Sequence, residues 1–143
     1  DLGSGAGFPG LIIPILSSHR VVLVESRAKR IDFLGRAIEL LGLQDVAVVA
    51  GMPLERLETA PYSVISARAF APLPRLLQLS YRFSTDNTLW LLPKGRNAVN
   101  ELNEVSAEWN LDFRVEPSVT DSDAGIIIGR VSGPKSQSQA EGR

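Results

Sequence analysis

The chain has 143 residues, a hydrophobic content of 44%, a charged content of 22% and a net charge of −1, values typical of one soluble globular domain. It has no cysteine and a single histidine, which excludes a Cys/His zinc site, a disulfide framework and a cysteine nucleophile, and we predict no bound metal. No long apolar run or basic leader is visible, so we expect a cytoplasmic protein that does not enter a membrane. At this net charge, any contact with nucleic acid must come from a local basic patch.

The first ten residues are rich in glycine, at positions 3, 5, 7 and 10. Glycine removes side chains where a backbone must approach a ligand. Residues 5–10 fit the dinucleotide pattern G-x-G-x-x-G. The acidic Asp1 and the close spacing of the first glycines instead look like the cofactor loop of S-adenosylmethionine-dependent methyltransferases, because a pyrophosphate would sit less comfortably beside Asp1. The loop therefore predicts a nucleotide-type ligand, with both enzyme classes open.

The position of this loop indicates that the chain starts late. In an α/β domain the loop follows the first strand, yet Asp1 and Leu2 would be only the last residues of that strand. We therefore expect a fragment that lacks most of the first strand and the segment before it.

After the loop, the pattern predicts a short helix over Pro9–Ser17, with Pro9 at its first helical position. The β-branched run Val21–Val24 is typical of a strand buried on both faces of a parallel sheet. Glu25 follows this strand about twenty residues after the loop, where a doubly wound fold places a carboxylate that accepts hydrogen bonds from ribose hydroxyls.

A second helix is predicted from an N-cap at Ser26 to Leu41, closed by Gly42. Its predicted buried face consists of Ile31, Leu34, Ala37, Ile38 and Leu41. The first turn carries three cations, at the positive end of the helix dipole, where each is unfavourable by roughly 0.3–1 kcal/mol. These cations are Arg27, Lys29 and Arg30. Cations at a position where the helix dipole disfavours them indicate a functional role.

The rest of the chain alternates strands and helices, which predicts an α/β sheet with helices on both faces. Predicted strands are Val46–Val49, Tyr62–Ser66, Thr88–Leu92, Phe113–Val119 and Ile126–Val131. Predicted helical segments are Leu54–Leu57, one starting at Pro72, and Asn97–Trp109. Because Arg68 and Lys94 follow central strands, we expect both at the carboxyl edge, near the switch point where ligands bind. Residues 1–131 form the predicted domain, and residues 132–143 a disordered tail.

Four stretches together carry a resemblance to a known family: Asp1–Gly10, Glu25–Arg30, Ser66–Ala71 and Lys94–Gly95. They resemble the bacterial 16S ribosomal RNA (guanine-N7) methyltransferases, the glucose-inhibited division protein B family. The resemblance implies a class I S-adenosylmethionine-dependent methyltransferase fold of Rossmann-like architecture, with a central, mostly parallel sheet. It also implies a missing amino-terminal helical segment. The chain departs from the family at Met52–Pro53, where an arginine is common, and at Asp123–Gly125, where a basic residue is expected.

The resemblance implies which residues bind S-adenosylmethionine. Gly3 and Phe8 would contact it from the loop, and Glu25 would hold its ribose. Leu54 and Glu55 would flank its adenine, and Arg68 would close the pocket. The whole predicted cofactor set is Asp1, Gly3, Gly5, Phe8, Glu25, Ser26, Leu54, Glu55 and Arg68.

The predicted substrate is guanine N7 in 16S ribosomal RNA or the small ribosomal subunit, and the predicted RNA-binding patch is Arg27, Lys29, Arg30 and Lys94. Guanine N7 has a free lone pair and no proton, so no catalytic base is predicted, and the rate would come from proximity and orientation. We expect a monomer. The alternatives are a nicotinamide-dependent oxidoreductase fragment that uses NAD or NADP, and a homologue that binds RNA or cofactor without catalysis.

Overall fold

The computed structural model describes residues 1–136, and residues 137–143 lie outside the described part of the chain. Its six strands are β1 (Val21–Val24), β2 (Ala47–Ala50), β3 (Val64–Ser66), β4 (Leu89–Lys94), β5 (Trp109–Pro117) and β6 (Gly125–Pro134). Parallel pairs join β1 to β2 and β3 to β4, while β6 pairs antiparallel with both β4 and β5. The α/β class and the closing antiparallel pair predicted from the sequence are confirmed.

Leu2 joins the two groups of strands. It forms parallel bridges with Val24 at the end of β1 and with Ala67 just after β3. The Leu2 amide donates to the Ser66 carbonyl at 2.8 Å, and the Val24 amide donates to the Asp1 carbonyl at 2.9 Å. Asp1 and Leu2 therefore lie between β1 and β3, and the glycine loop leaves the sheet from its centre.

The helices are α1 (Ile12–Leu16), α2 (Ala28–Leu41), α3 (Leu73–Ser80) and α4 (Ala98–Ser106), with 3-10 turns at Leu54–Arg56 and Tyr81–Phe83. The first helix is shorter than predicted, because turns continue up to its start. Pro9 follows a cis peptide bond and lies in these turns, so its predicted place at the first helical position is wrong. Each helix within residues 1–136 falls short of the length and hydrophobicity of a membrane span.

The predicted N-cap of α2 is also wrong. Arg27 occupies the cap position, and the side chain of Ser26 caps nothing. The amides of Ser26 and Arg27 donate instead to Glu25 Oε2, at 2.8 and 3.4 Å. At the other end Gly42 stops the helix in the left-handed conformation, as predicted. Leu41 is 52% exposed, so the buried face ends earlier than the sequence pattern indicates.

The strand β6 runs through Pro134, into the segment predicted to be a disordered tail. The Lys135 amide donates to the Glu108 carbonyl at 2.7 Å, which attaches this end to the start of β5. The boundary predicted at residue 131 is therefore too early, because apolar Val131 is buried and the hydrogen bonds with β5 continue beyond it. The predicted disorder of residues 137–143 falls outside the described residues.

Two apolar clusters hold the layers together. The larger one lies between the β3–β6 group and helices α3 and α4, around the fully buried Trp90 and Leu92. The smaller one lies between α2 and the β1–β2 pair, around Leu23 and Leu34. The smaller cluster anchors α2, whose first turn carries the cations singled out in the sequence.

Replacing Leu34 by alanine is expected to lower the free energy of unfolding by about 2–5 kcal/mol, because the side chain is fully buried and leaves a cavity. Leu40→Ala is the matched control on the same helix. Its side chain is 88% exposed, so the change should stay within about 0.5 kcal/mol. Urea denaturation of the two variants checks the difference, and equal midpoints would contradict this packing of α2.

Candidate functional site

A cavity of about 200 Å³ opens at the carboxyl end of β1, beside the glycine loop. The loop and β1 contribute Gly3, Val24 and Glu25, and the start of α2 contributes Ser26, Arg27 and Arg30. The rest of the lining consists of Met52, Pro53, Leu54, Ala69 and Phe70. This cavity, which we call the loop cavity, lies at the switch point predicted from the sequence.

Glu25 is the acidic group of the loop cavity and is 6% exposed. Its Oε1 accepts a hydrogen bond from the Gly5 amide at 3.2 Å, and its Oε2 accepts from the amides of Ser26 and Arg27. These donors hold the carboxylate between the loop and the start of α2. A carboxylate has about four acceptor positions, so it can still take a further donor from the cavity side.

Arg30 extends from α2 toward this carboxylate. Its Nη1 lies 3.6 Å from Glu25 Oε1, and its side chain is half exposed. The same nitrogen would lie 3.4 Å from a β-carbon built on Gly5. Arg30 therefore covers part of the loop cavity, which is smaller than the roughly 300–1,000 Å³ of ordinary ligand pockets. A ligand that uses Glu25 must compete with a half-exposed guanidinium.

The glycine loop is shaped by its own packing as well as by any ligand. Gly3 has φ of 61°, in the left-handed region, and a β-carbon there would lie 2.7 Å from Cδ2 of Phe70. The Phe70 ring thus packs against the backbone of Gly3, and both residues line the loop cavity. Contacts within the protein therefore require this glycine, in addition to the approach of a ligand predicted from the sequence.

Asp1 lies behind the loop and outside the lining of the cavity. Its Oδ1 accepts from Ser66 Oγ at 2.7 Å, and its carbonyl accepts from Ser4 Oγ at 3.0 Å. Asp1 Oδ2 is buried and has no hydrogen-bond partner among the described residues. In this structure Asp1 holds the loop to β3, and its predicted contact with the cofactor stays a prediction.

Of the two residues predicted to flank the adenine, one lines the loop cavity and the other does not. Leu54 is buried and lines the loop cavity, whereas Glu55 is exposed and does not line it. Phe8 is 53% exposed and also lies outside the lining. The structure brings together Gly3, Glu25, Ser26 and Leu54 of the predicted set, and adds Met52, Pro53, Ala69 and Phe70, which the sequence analysis did not single out as binding residues.

Arg68 lies in a second, more open concavity of about 720 Å³, next to the loop cavity. Its lining is Arg68, Ala69, Phe70, Ala71, Pro72, Pro93, Lys94, Gly95 and Glu101. We call it the adjacent cavity. The two cavities share Ala69 and Phe70 as a common wall. Arg68 therefore lines the adjacent cavity and is not part of the lining of the loop cavity, where Glu25 lies.

The four residues of the predicted RNA-binding patch are distributed over this surface. Arg27 and Arg30 line the loop cavity, and Lys29 is exposed on the same helix turn. Lys94 lies in the adjacent cavity, where its side chain is 10% exposed and its Nζ is 2.9 Å from Glu101 Oε2. Lys94 is thus paired, and this pairing could not be predicted because nothing in the sequence pattern of α4 marks Glu101 as its partner.

Comparison with known proteins adds the family. The family model described as rRNA small subunit methyltransferase G matches residues 1–126. The ribosomal RNA small subunit methyltransferase G of Rhizorhabdus wittichii is 57% identical, over 97% of this chain and 64% of its own length. That of Rhodospirillum centenum is 39% identical, over 89% of this chain and 58% of its own length. The chain therefore spans less than two thirds of these relatives.

Among solved structures, an RNA methyltransferase from Salinibacter ruber in complex with S-adenosyl-L-homocysteine matches with a TM-score of 0.72 and 15% identity, over 99% of this chain and 84% of that chain. An O-methyltransferase from Bacillus cereus matches with a TM-score of 0.68 and 17% identity, over 90% of this chain and 71% of that chain. At these identities the likeness establishes the fold, which is the predicted methyltransferase architecture. Together with the family model and the close relatives, it shows that the chain belongs to the rRNA small subunit methyltransferase G family.

Proposed function

We propose that this protein transfers a methyl group from S-adenosylmethionine to N7 of a guanine in 16S ribosomal RNA. The observation that carries the proposal is Glu25, a buried carboxylate held by backbone amides at the carboxyl end of β1, beside the glycine loop. Membership of the rRNA methyltransferase family supports this chemistry over the hydride transfer of a nicotinamide-dependent enzyme.

The residues of the loop cavity suit S-adenosylmethionine. Glu25 keeps acceptor capacity for ribose hydroxyls on its cavity side, and Met52, Pro53 and Leu54 provide an apolar wall for an adenine ring. The guanidinium of Arg30 must move aside to open the full volume, and its half-exposed side chain is free to do so.

The bound cofactor supplies a sulfonium methyl group, which guanine N7 accepts with its lone pair while the sulfonium becomes a neutral thioether. No proton leaves N7 in this transfer, so the protein needs no general base. The side chains that line the two cavities then have to orient the base and exclude water, which supplies rate through proximity. We propose that the protein acts in the cytoplasm as a monomer.

The test is methylation of small-subunit RNA, naked and in the particle, by the complete gene product with radiolabelled S-adenosylmethionine. Calorimetric titration with S-adenosylmethionine and with NAD should show binding of the first alone, and nucleoside analysis should identify N7-methylguanosine. Label on another atom would overturn the assignment of N7. Cofactor binding without any methylation would favour the non-catalytic homologue.

The cations of α2 provide a further prediction, which compares two residues on one helix turn. Lys29→Gln should weaken RNA binding and flatten its salt dependence by roughly 0.7–0.9 in slope, since one phosphate contact is lost. Cofactor affinity should stay unchanged, because Lys29 does not line the loop cavity. Arg30→Gln should weaken RNA binding similarly but also tighten cofactor binding by less than about tenfold, since a half-exposed ion pair with Glu25 is removed.

Salt titrations of RNA binding and calorimetry of cofactor binding separate the two variants. Identical cofactor affinities in Lys29→Gln and Arg30→Gln would contradict competition between Arg30 and the ribose. Normal methylation by both at every salt concentration would move the RNA surface to another part of the protein.

A further inference from the structure

A single ion pair joins three elements around the wall between the two cavities. Lys94 at the end of β4 pairs with Glu101 of α4 at 2.9 Å, and its Nζ donates to the Ala71 carbonyl at 3.3 Å. The same oxygen of Glu101 accepts from the Leu73 amide at 3.1 Å, at the start of α3. Both side chains therefore hold segment 68–72 near its carboxyl end, Lys94 through the Ala71 carbonyl and Glu101 through the Leu73 amide.

This segment has a backbone that needs support. Ala69 has φ of 52°, the single positive φ among non-glycine residues in the described range 1–136. Such a conformation is strained for a residue with a β-carbon and persists only where the surroundings impose it. Phe70 follows Ala69 directly and packs against Gly3 of the glycine loop. The position of the wall between the cavities therefore depends on what holds segment 68–72.

The charges of the pair are not available to an RNA phosphate. The Lys94 and Glu101 side chains are 10% and 24% exposed, so each largely satisfies the other away from water. If a phosphate bound Lys94, the Glu101 carboxylate would stay partly buried without its cation, which is strongly unfavourable. The predicted role of Lys94 as an RNA contact therefore conflicts with its surroundings.

We propose that Lys94 and Glu101 are a positioning pair, which holds segment 68–72 so that the cofactor in the loop cavity and the acceptor base in the adjacent cavity meet at the correct distance. The proposal rests on the proposed methyl transfer. Neither residue touches the reacting atoms. Both act through Ala69 and Phe70, which line the two cavities.

The experiment compares Lys94→Met, Glu101→Gln and the double variant in the complete gene product. A positioning role predicts that each single variant lowers kcat by about 10²-fold, the effect of a displacement near 1 Å, while KM for RNA changes less than threefold. The double variant should be no slower than either single one, because both remove the same connection. Glu116→Gln, which breaks an exposed ion pair with Arg114 at 2.7 Å, is the matched control and should leave kcat unchanged.

A phosphate contact predicts the opposite pattern. Lys94→Met would then raise KM for RNA and flatten the salt dependence by roughly 0.7–0.9, while Glu101→Gln would leave RNA binding unchanged or strengthen it. That result would overturn the proposal. If Lys94→Met does not fold, Glu101→Gln decides alone, since it removes the charge that holds Lys94 while its amide oxygen keeps the buried Leu73 amide satisfied and so preserves folding.

Hydrogen–deuterium exchange provides a measurement that does not depend on turnover. Amides of residues 68–72 should exchange faster in Glu101→Gln than in the wild type and in Glu116→Gln, and unchanged exchange would overturn the proposal. If the wild type does not methylate RNA at all, the proposed function fails, while the exchange result still decides whether the pair holds the segment.

Discussion

Replacing Gly5 by valine is expected to abolish detectable binding of S-adenosylmethionine. Gly5 is buried with φ of 53°, a conformation that a β-branched residue adopts only under strain. Its amide is also one of the donors that hold Glu25, at 3.2 Å. A shifted backbone would misplace the carboxylate and bring a branched side chain against Arg30, which already lies 3.4 Å from the β-carbon position.

Gly35→Val is the matched control for this substitution. A β-carbon on Gly35 meets no atom within 4 Å, and valine suits the interior of α2 at least as well as glycine. Isothermal calorimetry on both variants, with circular dichroism as a check on folding, measures the difference. A folded Gly5→Val protein with wild-type affinity would remove the glycine loop from the cofactor site.

Glu25→Gln is expected to weaken cofactor binding by about 10²- to 10⁴-fold, because two hydrogen bonds to a charged acceptor contribute roughly 1.5–3 kcal/mol each. The amide has nearly the shape of the carboxylate, and its remaining oxygen can still accept from the backbone. It loses the negative charge and turns one oxygen into a donor, and a backbone amide faces that position whichever oxygen is replaced, so a loss of stability of about 1–3 kcal/mol should accompany the loss of affinity.

The comparison uses Glu39→Gln, an exposed acidic residue on α2 with the same change of charge. Equilibrium binding at several salt concentrations should leave Glu39→Gln at the wild-type value throughout. Equal affinities of Glu25→Gln and the wild type would show that the ribose is held by another group.

The order of strands and helices, and the meeting of Glu25 with the glycine loop, could be predicted from the sequence. Buried parallel strands are continuous apolar runs, and the carboxyl end of one strand must lie beside the loop that follows its neighbour. The hydrogen bond between Gly5 and Glu25, twenty residues apart, follows from this topology without knowledge of side-chain packing.

The helix starts were predicted less well. Ser26 has the side chain of an N-cap, yet the buried carboxylate of Glu25 takes the amides of Ser26 and Arg27. Pro9 suits a first helical position, but the turns of the loop continue up to Ile12. In both places the surroundings of the loop outweigh a local preference worth about 1 kcal/mol.

The pairing of the cations among residues 1–136 depends on packing between distant elements. Lys94 and Arg68 follow neighbouring strands and are indistinguishable by sequence position, yet Lys94 is paired with Glu101 while Arg68 is exposed in the adjacent cavity. The partner of a charge depends on how α4 packs across the sheet, and hydrophobic periodicity carries no information about polar contacts between distant elements. The fold and the position of Glu25 therefore follow from sequence pattern, whereas packing determines which of the site's cations are paired.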